Sequence, residues 1–342
     1  MSEFAAMFDD AQSKWDADKS PVFEKKAPTT LSGNAFDALI GRPKANLPHL
    51  VPIIETEQTA IQRRSEGFYG DAESIMDGFH PSFISGTTCQ AAYHYNRTIE
   101  NKFHVDAKLQ RIFDNGSDVH SRIQRYLSAR LVGTWRCRKC QATHGQQPAY
   151  MAFLEKTAAT NPGYADELAH TATVSAVPIP APEQCARCAR KAADEFNPLF
   201  VYKEWRIIDP ETGIVGKTDG ILLFDSKYVP IEIKSANNRA CLTLAKTGPS
   251  PKYKKQFNLY IDRLKAQHPD LPFTDGGIFV YENKDTQQLI EIECWRDDAI
   301  VSPILARCRK ALAEGRGDAI LNDDCPGCGY AQQCVKDGRR ER

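Results

Sequence analysis

Residues Gly213–Ser235 read GIVGKTDGILLFDSKYVPIEIKS, and the fold turns on how this stretch pairs with itself. In Ile231-Glu232-Ile233-Lys234 the side chains alternate, so Glu232 and Lys234 share one face while Ile231 and Ile233 take the other. One face belongs to a core; the other is polar. The preceding run, Gly220 to Phe224, is continuously apolar and predicts a strand buried on both sides. With a turn at Asp225 to Tyr228, Asp219 falls opposite Lys234 and on the face of Glu232. A slip of one residue would send it to the opposite face.

Two carboxylates and an ammonium on one dry face suit a hard divalent cation, which keeps waters and meets substrate phosphates. A neighbouring lysine can orient water and offset developing charge. The pattern therefore predicts metal-assisted phosphodiester hydrolysis. A surface hairpin with a Glu/Lys pair would carry the same residues, so the remainder of the chain has to discriminate.

The 342 residues include 44 basic and 44 acidic side chains, so any field that attracts nucleic acid must be local. With 42% hydrophobic and 26% charged residues the composition is that of a globular protein, long enough for an α/β domain and an insertion. No apolar run approaches the roughly 20 residues of a membrane span, and the N-terminus lacks a signal-peptide pattern. A reducing, cytoplasmic setting in a bacterial or phage-infected cell is the expectation. There, closely spaced cysteines point to metal rather than to disulfides.

The chain divides by composition. Residues 1–75, rich in Pro, Lys, Gly and Asn over Lys19 to Pro48, read as a partner-facing arm with short helices near Phe36 to Ile40 and Glu55 to Arg64. Residues 76–133 are helical. Ser85 is placed to cap a helix over 86–100 carrying Cys89, and a second helix over 105–131 repeats Leu109, Ile112, Phe113, Val119, Ile123 and Leu127 at helical period. Gly116 on that helix predicts a close backbone approach, with His120 one turn on. Residues 134–192 hold two C-x2-C knuckles, Cys137/Cys140 and Cys185/Cys188, a strong signal for tetrahedral zinc, with His144 as an alternative ligand. Arg136, Arg138, Lys139, Arg187, Arg190 and Lys191 give this insertion a basic rim.

Residues 193–314 return to α/β grammar. A strand over Leu199 to Ile208 precedes the hairpin, a helix over Pro251 to Ala266 follows it, and strands over Gly276 to Tyr281 and Gln288 to Trp295 lead to a helix over Asp298 to Glu314. Lys252, Lys254 and Lys255 around Tyr253 form a local basic and aromatic patch suited to phosphates and bases. Residues 315–342 contain Cys325, Cys328 and Cys334, three thiolates that need a fourth, with Cys89 the best candidate. Cys241, Cys294 and Cys308 stand alone on a loop, a strand and a helix.

These motifs, in order, resemble the RecB-like branch of the PD-(D/E)XK nuclease superfamily, especially the CRISPR-associated iron–sulfur exonucleases. The resemblance spans about Ser82 to Cys334 without the insertion. It rests on Cys89 at a helix start, G-x3-H at Gly116 to His120, Gly216-Lys-Thr-Asp219, E-x-K at Glu232 to Lys234, Q-x3-Y at Gln256 to Tyr260, and the C-terminal cysteines. It implies a restriction-endonuclease-like α/β core, a mixed central sheet flanked by helices, with an N-terminal helical arm, a zinc-binding insertion and a C-terminal Fe–S segment. It implies Mg²⁺ or Mn²⁺ held by His120, Asp219, Glu232 and the Ile233 carbonyl, the imidazole favouring Mn²⁺ alongside Mg²⁺. Glu204 would support the site, Lys234 would act on the water, and Gln256 and Tyr260 would position DNA. Cys89, Cys325, Cys328 and Cys334 would bind a [4Fe–4S] cluster, and zinc at the four insertion cysteines would be structural; a second zinc site at the C-terminal cysteines is the competing assignment. The implied activity is a DNA exonuclease on single-stranded or frayed ends in replication, recombination or repair, with partner proteins meeting the arm. A structure-specific endonuclease, or a non-catalytic DNA-binding subunit, are the alternatives.

Overall fold

In the computed structural model the described residues are 78–98, 107–159, 162–192, 198–314, 325, 328 and 330–337. The arm expected over 1–75, with its two short helices, lies outside them. The central sheet has the order β10-β9-β8-β7, built from β7 (Gly220–Phe224), β8 (Lys227–Ala236), β9 (Gly276–Asn283) and β10 (Leu289–Trp295). The β7–β8 and β9–β10 pairs are antiparallel, whereas β8 and β9 run parallel. A parallel pair needs a crossover. It is supplied by α6 (Asn238–Thr247) and α7 (Pro251–Gln267).

The register of the hairpin differs from the expectation by two residues. Asp225 and Ser226 both take left-handed φ, 48° and 62°, and form a tight two-residue turn that pairs Phe224 with Lys227 and Gly220 with Ile231. Such turns match the twist of the flanking strands. Continued one step, the register sets Asp219 opposite Glu232 rather than Lys234. A shift of two keeps the parity, so both carboxylates stay on one face. Only the start of β7 is buried. Leu222 and Leu223 are half-buried and Phe224 is exposed, with the Arg130 guanidinium 5.8 Å over its ring.

The middle of helix α7 is enclosed on every side: each residue from Gln256 to Leu264 is buried. Ser250 caps it by accepting a hydrogen bond from the Tyr253 N–H. Phe257 meets Phe279 of β9 with ring centroids 4.7 Å apart. Full enclosure obliges the polar residues of α7 to find partners. Arg263 pairs with Asp209 and Asp262, and Asn258 accepts the Asp297 N–H at the start of α8 (Asp298–Glu314).

The strand predicted over Leu199 to Ile208 is two strands. β4 (Phe200–Lys203) pairs with β1 (Val132–Cys137), whereas β5 (Trp205–Asp209) pairs with β6 (Ile214–Thr218). The chain changes sheets at Glu204. The cysteine-rich segment is thereby woven into the core: Trp135, Cys137 and Cys185 pack in one buried cluster with Ile231 and Ile233 of β8. Its remaining elements are β2 (Thr143–His144), α4 (Pro148–Ala158), α5 (Pro162–Ala169) and β3 (Ile179–Pro180).

Four helical expectations change. Ser85 ends α1 (Pro81–Ile84) instead of starting α2 (Gln90–Thr98), since Pro81 fixes an earlier helix start. On α3 (Ala107–Tyr126), Val119 and Ile123 are buried, but Ile112 and Phe113 are 49% and 46% exposed, because only the C-terminal half packs on the sheet. Gly116 makes no close approach, for a Cβ there would meet nothing within 4 Å. Cys241, expected on a loop, lies on α6, which Asn237 caps through the Ala240 N–H. The last element is α9 (Ala331–Lys336).

Candidate active site

Asp219 stands in the bend between β6 and β7, and Gly220 after it must be glycine because a Cβ would lie 2.8 Å from Ile231 Cδ1. This contact presses the bend against β8. There the Ile233 N–H donates to Asp219 Oδ2 at 2.7 Å, and Oδ1 points to His120 Nδ1 at 3.4 Å. His120, Asp219 and Glu204 bring one ligand atom each within 4.8 Å of one another. Glu204 enters this group because the break between β4 and β5 turns its carboxylate inward.

Glu232 and Lys234 form the second half of the centre. Lys234 Nζ is 2.5 Å from Glu232 Oε1, 3.2 Å from the Ile233 carbonyl and 3.8 Å from Asp219 Oδ2. Glu232 is 1% exposed, and its Oε2 is buried with no hydrogen-bond partner. Burial, then the Asp219 charge, push its pKa up to about 8, with Lys234 offsetting only part. Burial also raises the pKa of Glu204, helped by Asp219 and opposed by Lys217, whose ammonium lies 3.2 Å away. Crowded carboxylates with an orphaned buried oxygen fit a divalent cation. His120, Asp219 and Glu204 are the side chains grouped closely enough to hold it; Glu232 lies outside that group, with Lys234 between it and the Ile233 carbonyl.

The residues expected to handle DNA divide. Gln256 is buried and donates to Glu232 Oε1 at 3.2 Å and to Tyr260 Oη at 3.1 Å, which fixes the carboxylate from behind. Tyr260 lines a cleft of about 330 Å³ together with His120, Glu204 and Asp219. Sequence reasoning missed Gln124, whose side chain donates to the Asp219 carbonyl at 2.8 Å and to Glu204 at 3.3 Å. Its position one helical turn after His120 was the available signal. Tyr253, in the expected basic and aromatic patch, is 38% exposed, and its ring also faces the Lys234 ammonium at 5.4 Å.

The two knuckles are alike. Gln141 and Ala189, each following a second cysteine, take left-handed φ of 59° and 55°. Each N–H bonds back to the carbonyl of the first cysteine, at 2.9 Å in both cases. Cys137 and Cys188 are 3.9 Å apart at sulfur, and Cys140 and Cys185 3.6 Å. A tetrahedron with Zn–S bonds of about 2.3 Å has edges of about 3.8 Å, so the four thiols fit that ion. The Arg190 N–H draws the Cys188 thiol down, whereas burial pushes the Cys140 thiol up. His144 lies 3.4 Å from Cys185 Sγ as a neighbour of the four.

A second set of four cysteines gathers less tightly. Cys89, just ahead of α2 with its N–H on Thr87 Oγ1, packs in one cluster with Cys328, Cys334 and Tyr330. Burial pushes the Cys334 thiol up, and Cys89, Cys328 and Cys325 add to the shift. Among the described residues, the groups of three or more ligand atoms within 4.8 Å are the four knuckle thiols and the His120 group alone. The Cys89 set is wider than a single-ion tetrahedron.

No helix among the described residues is long and apolar enough to cross a membrane. Among solved structures, an alkaline exonuclease from Laribacter hongkongensis is 16% identical with a TM-score of 0.38, covering 80% of this chain and 98% of its own. The same exonuclease with dAMP gives 17% and 0.38 over the same shares. A structure described as SSO0001 gives 11% and 0.37, covering 84% of this chain and 96% of its own. No curated protein matches the chain. The family model of the PD-(D/E)XK nuclease superfamily matches residues 85–335, a span that contains both cysteine sets and every carboxylate of the centre. The chain belongs to the PD-(D/E)XK nuclease superfamily.

Proposed function

We propose that the protein is a divalent-metal-dependent deoxyribonuclease that hydrolyses phosphodiesters of single-stranded or frayed DNA ends. The observation that carries this reading is the convergence of His120, Glu204 and Asp219 within 4.8 Å, beside a Glu232–Lys234 pair. His120, Asp219, Glu232 and Glu204 hold Mg²⁺ or Mn²⁺, with the Ile233 carbonyl at hand. When bound, such an ion lowers the pKa of water and neutralises phosphate charge. Lys234 orients the attacking water and balances charge on the phosphoryl oxygens. Gln256 holds Glu232 in place, and Tyr260 meets the strand in the small cleft.

The four knuckle cysteines hold a structural zinc, since four thiolates leave no open position. Cys89, Cys325, Cys328 and Cys334 hold a [4Fe–4S] cluster that staples α2 to α9; the packing of Cys89 with Cys328 and Cys334 supports this. A role in replication, recombination or repair, in the cytoplasm of a bacterial or phage-infected cell, agrees with an end-directed nuclease, and residues 1–75 are the segment for protein partners. The test is digestion of 5′- and 3′-blocked, end-labelled single strands with Mg²⁺ or Mn²⁺. Progressive shortening from one end is expected. Internal cuts in both blocked substrates would make it an endonuclease, and no cutting beside tight salt-sensitive binding would make it a binding subunit.

A further inference from the structure

A cavity of about 900 Å³ opens beside the carboxylate centre, between α3 and the strands β1, β4, β5 and β6. His120 and Glu204 line its inner end. Its walls carry Arg136 and Arg138 from the cysteine-bound module, and Lys203, Arg206 and Lys217 from the core. The registers explain why these cations share one face. Trp135 and Cys137 turn into the core, so Arg136 between them turns to the cavity, diagonal to Lys203 across the β1–β4 pair. Arg206 and Lys217 sit directly opposite each other on β5 and β6.

Like charges directly opposite on paired strands destabilise a sheet. Here the repulsion is offset in part: Lys217 reaches Glu204, and the Arg206 guanidinium lies 3.7 Å over the Tyr150 ring with its buried Nε lacking a partner. No hydrogen bond or ion pair engages the side chains of Arg136, Arg138 and Lys203 among the described residues. A chain of zero net charge thus keeps seven cations around one cavity that reaches its carboxylate centre, Arg122 and Arg125 of α3 among them.

We propose that the cysteine-bound module is one wall of the substrate channel, and that Arg136, Arg138, Lys203, Arg206 and Lys217 form a phosphate track that delivers one DNA strand to the His120 centre. The track rests on the nuclease reading for what lies at its end, and on the cation cluster for itself. The volume suits a few nucleotides of a single strand and is far too small for a duplex. The bound metal of the module would then act on the substrate indirectly, by fixing the strand that carries Arg136 and Arg138.

The experiment measures binding of a labelled oligothymidylate of about twenty nucleotides to the full chain without divalent metal, across a salt series. The variants are Arg136→Ala with Arg138→Ala, Lys203→Ala, and Lys227→Ala on the exposed hairpin turn as a charge control. Each contact removed is expected to lower the log–log salt slope by about 0.7, with at least about tenfold loss of affinity in the double variant and none for Lys227→Ala. Cleavage is read in parallel on the oligonucleotide and on bis(p-nitrophenyl) phosphate, which is too short to span the track. The double variant should lose at least about ten times more kcat/KM on the oligonucleotide than on the small diester. Unchanged slope and affinity in folded, zinc-loaded variants would overturn the track. A wild type that binds with the full slope but cleaves neither substrate would overturn the nuclease reading and leave the track standing.

Discussion

His120 Nδ1 lies 3.4 Å from Asp219 Oδ1, which joins a helix to the hairpin bend across 99 residues of sequence. The imidazole is therefore fixed as part of the carboxylate centre and is not free on the helix face. Replacing His120 by Ala is expected to raise the Mn²⁺ concentration for half-maximal cleavage by about 10–100-fold, and Glu204→Gln to do the same to a smaller extent. Asp219→Ala and Lys234→Ala should each remove at least about 10³-fold of the rate. Metal titrations of cleavage rate decide; wild-type half-points in both His120→Ala and Glu204→Gln would exclude those two as ligands.

Glu232 gives a pH dependence whose sign is fixed. Its pKa rises from 4.5 to about 8 on folding, so over that window the folded state binds the proton that the unfolded state has lost. Metal-free protein should lose stability as pH rises from about 5 to about 8, and Mg²⁺ should restore more at the alkaline end. Thermal melts of wild type and Glu232→Gln check this. The variant should show a shallower pH slope and a higher metal-free Tm near pH 8; an identical slope would remove Glu232 as its cause.

The knuckle sulfurs, 3.6 and 3.9 Å apart in pairs, predict one tightly held zinc per chain. Cys185→Ala should release it and lower the melting temperature of the whole domain, because Cys137 and Cys185 pack with Ile231 and Ile233. Anaerobic purification reads the second set: iron with a brown colour supports the cluster, whereas two zinc per colourless chain assigns Cys89, Cys325, Cys328 and Cys334 to zinc instead.

Arg263 is buried between Asp209, at 2.6 Å, and Asp262, at 2.5 Å. Removing one partner of a buried ion pair leaves an uncompensated charge, at a cost of about 3–5 kcal/mol. Arg263→Ala should therefore lower urea stability by that order. A change below about 1 kcal/mol would mean that water replaces the guanidinium.

The centre was legible where period-two alternation and glycine spacing carried it. Glu232, Lys234 and Asp219 follow from one strand and one D-G bend, and the error of two in the register left their common face intact. Glu204 was harder to rank, because the residues from Leu199 to Ile208 read as one strand and nothing local marks the change of sheet. Helical period overstated the packing of α3, since it reports an apolar face without reporting what covers it. Gly116 misled for the opposite reason: the glycine has open space beside it. The cysteine knuckles were the most transparent feature, as ligand spacing is itself the geometry.

Tyr95 Oη donates to Asp337 Oδ2 at 2.6 Å, and Cys89 shares its cluster with Cys328 and Cys334. Contacts separated by more than 230 residues close late, since loop entropy must be met first. On the ribosome, α2 is made long before α9 exists. The chain thus waits for Cys328 and Cys334 before α2 can lock, and a product that stops before α9 would lack that lock entirely. In a chain of a nuclease superfamily, chain order thus ties the locking of α2 to the synthesis of α9.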